Sequence, residues 1–258
     1  MTDREIRKMS RKLNKGHYLV SFSIPAYALF SLAVFCVLPY FGLNLFKLLK
    51  ASLDSVNAYL FPSLCAVIML TVTFAFMMIF SSVSMGEKAW YSGRLTRKKQ
   101  CGKRLRFWFI PKHAFKATRL QLLLFLIKLL WTVALLSPAA LAAAGIVSLA
   151  YTGGVEIYLF LSLAGGGLLL LTAGLIFRFI IIQRYFLAPY LMAQNPKLKP
   201  IQAVRQSKNL LDGHVFRIIR FKLKYFPSFL LYPLIFPSIF FYPNYKQGCS
   251  LIAKEIVL

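Results

Sequence analysis

Residues 155–177 read VEIYLFLSLAGGGLLLLTAGLIF, and Arg178 follows at once. Apart from Glu156 the stretch has no charge, so a helix over it presents about 30 Å of unbroken apolar length, the thickness of a bilayer's hydrocarbon core. A soluble core helix needs only one apolar face, whereas this one is apolar all round. The stretch therefore predicts a membrane-spanning helix.

Outward from it, runs at 18–46, 57–85 and 120–151 repeat the pattern, each long enough to span with tilt to spare. A fifth run, 225–242, carries Pro227, Pro233 and Pro237, with Pro243 just beyond. Each proline removes a backbone donor that nothing in hydrocarbon replaces, so a hairpin dipping into the membrane with a break near Pro237 fits better than one straight span. The expected fold class is an all-α polytopic bundle forming a single integral membrane domain over residues 1–258.

Composition agrees. Hydrophobic residues make up 59% of the chain and charged ones only 15%, with mean hydropathy +0.64, against about a quarter charged in soluble domains. The net charge of +25 comes from 32 Lys and Arg against 7 Asp and Glu. In a soluble protein that balance would indicate a nucleic-acid binder. Here the basic residues stop where each apolar run begins, as membrane flanks do, and no nucleic-acid partner is expected.

Basic residues also set the orientation. The arm 1–17 holds six, the loop 86–119 eleven and the segment 178–224 ten, whereas 152–156 holds none. If every long run crosses once, 27 of the 32 share one side, which the positive-inside bias makes the cytoplasm. A multi-pass protein of the cell membrane with a cytoplasmic N-terminus is expected. The run 18–46 is too long for a cleavable signal sequence, and no small-residue cleavage pattern follows it.

Catalytic chemistry is nearly absent from the pattern. His17, His113 and His214 are isolated, Cys36, Cys65, Cys101 and Cys249 form no CxxC pair, and no acid lies within a span. No GxSxG and no phosphate-binding GxxxxGK[ST] occurs, and Gly165 to Gly167 lie mid-span with no strand before them. No catalytic residue, metal ligand or cofactor is expected.

Those glycines read as a packing surface. Ala140 and Ala144 on the third run face a short loop away from Ser162, Gly166 and Gly174 on the fourth, so the two helices are expected to pair through small residues, with Pro138 kinking the third. Lys128 is the one charge with an intramembrane option. If the helix enters at Leu120, Lys128 sits about 12 Å down and needs a partner; if the span starts at Leu129, it is a flanking cation that snorkels to the headgroups, the reading favoured here.

Lipid contacts are expected at the basic segments. Lys98, Lys99, Lys103, Arg104, Arg106 and Trp108 interleave bases with aromatics, and Arg178 and Arg184 anchor the end of the fourth run. Within 188–222, Pro200 opens an amphipathic helix carrying Ile201, Val204, Leu210 and Leu211, which is expected to lie on the bilayer or against the spans.

The stretch Ala188 to Leu198, APYLMAQNPKL, continuing through Ala203, Ser207, Leu211, Gly213 and His214, resembles the hallmark of DUF975, an uncharacterised bacterial membrane family in which "ADNPEL" is followed by "ALEA…ES…MKG". Ile6-Arg7 and Leu13 to Tyr18 are similar to that family's opening "LK…A…LKGN(W/Y)". Gln194 and Lys197 stand where the family carries acids. The resemblance implies about six membrane segments with both termini cytoplasmic, and no known activity. The expected function is non-enzymatic: an accessory or interaction protein acting through anionic membrane lipids or a membrane-protein partner, with a small-molecule or lipid transporter as the alternative.

Overall fold

The structure is a computed structural model and describes residues 1–18, 44, 60–95, 106–152, 157–230 and 235–257. Most of the run 18–46, the cluster Lys98, Lys99, Lys103 and Arg104, and residues 153–156 lie outside the described residues. The described residues are all-helical, with 88% helix and no strands among them. The main helices among the described residues are α1 (Asp3–Asn14), α2 (Leu60–Leu95), α3 (Pro111–Thr152), α4 (Ile157–Gln183), α5 (Ala188–Gln194), α6 (Pro200–Leu210), α7 (Val215–Leu230) and α8 (Ile235–Val257).

Three of these, α2, α3 and α4, are long and apolar enough to cross a membrane, which is compatible with a membrane-embedded protein. Their surfaces show where apolar solvent would lie: Leu70 is 74% exposed, Leu141 74% and Leu169 71%. Hydroxyls in these stretches turn inward on their own helices, Thr73 donating to the Met69 carbonyl and Thr172 to that of Leu169. Neither hydroxyl then needs a partner on the apolar side. Pro138 does not end α3. Ser137 Oγ donates at 3.2 Å to the Ala134 carbonyl, the acceptor that the missing Pro138 N–H leaves open.

α2 has 36 residues and α3 has 42, lengths of about 54 and 63 Å, roughly twice a hydrocarbon core. The surplus is buried. From Ser81 along α2, and from Leu124 back towards the start of α3, the helices enter a cap built with α1 and α5 to α8. The segment 86–119 is accordingly not one loop, because α2 continues to Leu95 and α3 starts at Pro111.

α5 sits at the centre of this cap. Leu187, Tyr190 and Leu191 face a cluster with Ile6 of α1, Phe221 of α7 and Ile252 of α8. Ala188, Met192 and Ala193 face a second cluster with Met85 of α2, Trp108, Leu120 of α3 and Val204 of α6. The stretch that carries the family resemblance is thus core. Pro200 occupies the first turn of α6, where a proline's missing N–H has no partner to lose.

α3 and α4 lie side by side, and the close approach runs through Gly174, one of the expected residues, and through Gly167 rather than Gly166. A Cβ on Gly174 would stand 2.6 Å from the Leu135 carbonyl oxygen, and one on Gly167 would touch Ala142. Ala140, Ala144, Ser162 and Gly166 are exposed. α7 and α8 pair antiparallel: Tyr225 and Tyr245 rings meet at 5.5 Å, and Phe221 fills the space above Gly248. α7 ends at Leu230 and α8 starts at Ile235, which puts Pro237 in the first turn of α8; residues 231–234 lie outside the described residues. α1 closes the cap by lying along α8, with Ser10 Oγ donating to the Asn244 carbonyl at 2.5 Å and Asn14 Nδ2 to Asn244 Oδ1 at 3.1 Å.

Candidate functional site

Where the exposed apolar stretches give way to the cap, six helices leave a cavity of about 360 Å³. α2 contributes Ser84 and Lys88, α3 Gln121 and Lys128, α4 Gln183, α7 Lys222, and α8 Tyr245, Lys246 and Cys249. The turn after α4 and the start of α5 complete the wall with Tyr185, Phe186, Pro189 and Tyr190. The cavity lies where the exposed apolar stretches end, with Lys128 in its wall.

Four lysines line this space and no acid does. Lys246 alone has an acidic partner there: its Nζ donates at 3.1 Å to Glu87 Oε2, while Tyr242 OH donates at 2.7 Å to Glu87 Oε1. Lys88 Nζ donates to the Ser84 carbonyl at 3.0 Å and hydroxyl at 2.7 Å. Lys222 Nζ donates to Gln183 Oε1 and lies over the Phe186 ring. Lys88 is within electrostatic reach of Lys246 and Lys128, and Lys222 of the same two, so the four form a ring of like charges. Burial opposes the ammonium of Lys246, but the adjacent Glu87 carboxylate outweighs it and holds the pKa above the usual lysine value. At Lys222 burial prevails, with Lys128 and Lys246 adding to it against the smaller opposing effect of Cys249, and its pKa falls below that value.

The chemistry such a wall offers is electrostatic. Burial raises the pKa of Cys249, keeping it a thiol, the poorly nucleophilic form. Among the described residues no group of three His, Cys, Asp or Glu could hold a metal ion.

The expected lipid anchors end in different places. Trp108 is 1% exposed, packed edge-on against Phe107 and embedded with Met85 and Leu120. It is therefore not an interfacial anchor, because the second half of its own loop folds into helix and buries it. Its neighbours Arg106, Phe109 and Ile110 are the exposed ones. Arg178 Nε donates to Thr132 Oγ1 at 2.7 Å, tying α4 to α3 one turn beyond Lys128. Arg184 pairs with Asp212 at 3.1 Å across the exposed surface. On α6, Val204 and Ser207 are buried while Ile201 and Leu210 stay exposed, so that helix lies against the cap. Lys88, Gln121, Lys222 and Lys246 escape a sequence reading because each comes from a different helix or helix end, with no spacing to link them.

This is a helical protein with membrane-length spans and a cationic cavity at their basic end. No family model, no curated protein and no solved structure matches the chain.

Proposed function

We propose that this chain is a non-enzymatic accessory protein of the bacterial cell membrane, of the DUF975 kind, that works by holding anionic lipid at its cytoplasmic rim. The observation that carries this reading is the cavity of four lysines and no lining acid where the exposed apolar stretches end; counting about 20 residues back from Ser148 along α3 sets it at headgroup depth. Basic pockets between spans at the cytoplasmic side are suited to anionic headgroups. The six-segment topology puts α1 and α8, which lie together, both on the cytoplasmic side, with the apolar tip of the α7–α8 hairpin entering the membrane.

The test is reconstitution of the full chain in nanodiscs of neutral lipid with a rising fraction of phosphatidylglycerol. Anionic lipid enriched around the protein over the bulk ratio, and lost at high salt, is the expected result; no enrichment over phosphatidylcholine would end the proposal. Orientation is tested in intact cells, where Cys101 should resist a membrane-impermeant maleimide and react after permeabilisation. Labelling from outside would reverse the topology.

The transporter reading draws on one feature, the break in the helix at residues 184–187, which borders the cavity as interrupted helices border transporter sites. Solute flux in proteoliposomes that depends on the chain would favour it.

A further inference from the structure

The charge on the cavity wall narrows what belongs inside it. Lys88, Lys128, Lys222 and Lys246 bring four ammonium groups together, and Glu87 supplies the one carboxylate within bonding distance of any of them. Three cations then remain without an anion among the described residues. Cations held close in a partly dry space repel and stay desolvated, so an occupant that neutralises them is strongly favoured. A carboxylate or a phosphodiester brings one charge and leaves two ammoniums unpaired. A phosphomonoester brings about −1.5 to −2 and three acceptor oxygens.

The donors suit it. Among the described residues the Lys128 ammonium has no hydrogen-bond acceptor, whereas Lys88 uses two of its three donor positions and Lys222 one. A lysine ammonium offers three donors and no acceptor, so several N–H groups remain directed at the space they share. The volume of about 360 Å³ exceeds what a bare phosphate needs and leaves room for the group that bears it.

We infer that the cavity is a binding site for a phosphate group with two ionised oxygens, a phosphomonoester, held by Lys88, Lys128 and Lys222. The inference rests on the lipid-holding reading and sharpens it, since two sources carry this chemistry: a lipid headgroup of the phosphatidic acid type, entering from the bilayer, or a soluble phosphomonoester from the aqueous side.

The experiment measures binding by the full chain in neutral nanodiscs doped with phosphatidic acid or phosphatidylglycerol, and separately with glycerol 3-phosphate added to undoped discs. Phosphatidic acid should bind at least about tenfold tighter than phosphatidylglycerol, and Lys128→Gln and Lys88→Gln should each remove that preference while leaving weak phosphatidylglycerol binding in place. Replacing one of several mutually repelling cations should leave the empty protein as thermally stable as before or more so, which separates loss of binding from loss of fold. If glycerol 3-phosphate binds undoped discs and displaces phosphatidic acid at similar concentration, the soluble source is assigned; if it does not, the lipid is. Equal affinity for the two lipids, or a preference that survives both substitutions, would overturn the phosphomonoester site while leaving the lipid-holding function standing. Failure of every anionic lipid to bind would remove both.

Discussion

Leu141 and Leu120 belong to the same helix and the same residue type, yet one is 74% exposed and the other fully buried. The difference divides the molecule. Beyond Leu129, α3 leans on α4 through small residues and leaves its leucines on the outside. Before Leu124 it is packed on several sides by α2, α5 and α6 around Trp108. In water, burying apolar area drives assembly at about 25 cal/mol per Å². Among apolar chains that drive vanishes, and only close van der Waals fit and hydrogen bonds hold helices together. One continuous helix is thus stabilised by two kinds of physics, with the lysine cavity at the change from one to the other.

The contrast is tested most severely by truncating one side chain in each half. Trp108→Ala should cost about 3–5 kcal/mol of unfolding free energy, as large core truncations do, and Leu141→Ala within about 0.5 kcal/mol, as exposed changes do. Denaturant titration of the protein in mild detergent measures both; comparable losses would abolish the distinction. A glycine series sharpens it. Gly174→Ala places a Cβ 2.6 Å from the Leu135 carbonyl oxygen, and Gly248→Ala one 2.5 Å from Phe221 Cζ. Each should destabilise by about 1–3 kcal/mol through overpacking. Gly166→Ala meets nothing within 4 Å and should instead stabilise by roughly 0.5–1 kcal/mol, the helix-propensity difference. Equal effects at all three positions would mean that α3 and α4 do not approach where the structure places them.

The smallest effect concerns acid. Burial would raise the pKa of Glu255, but its hydrogen bonds with the Met1 amino group at 2.6 Å and Arg217 at 2.9 Å lower it overall. A carboxylate with a depressed folded pKa contributes stability that is present above its unfolded value, near 4.3, and is lost as the pH falls through the folded value. Amide exchange in α1 should therefore quicken below about pH 4 while exchange in the α3–α4 stretch stays unchanged. No difference between the two would show that Glu255 does not clasp α1.

Much of the apolar half is legible in the sequence, because a helix surrounded by hydrocarbon must be apolar all round and few other structures look like that. The cap is harder to read, since its composition is ambiguous: Phe107 to Ile110 set among bases describes an interfacial segment and a folded core equally well. Only the docking of α5 and α6 makes Trp108 a core residue. The small-residue contact was legible as a pair of helices and at Gly174, but not at Gly167, because alanine and glycine occur on several sides of both and spacing alone does not choose. The cavity had no local signature, as its lysines come together from helices far apart in the chain.

The meeting of α1 with α8 bears on how the protein is made. Asn14 and Asn244 stand 230 positions apart, yet hydrogen-bond directly. Ile6 enters a cluster whose other members come from Leu187 onward. A ribosome adding about 5–20 residues per second leaves α1 waiting on the order of ten seconds or more for its partner. Through that interval the cluster around Ile6 lacks every buried partner from Leu187 onward, so α1 is made long before its place in the cap exists.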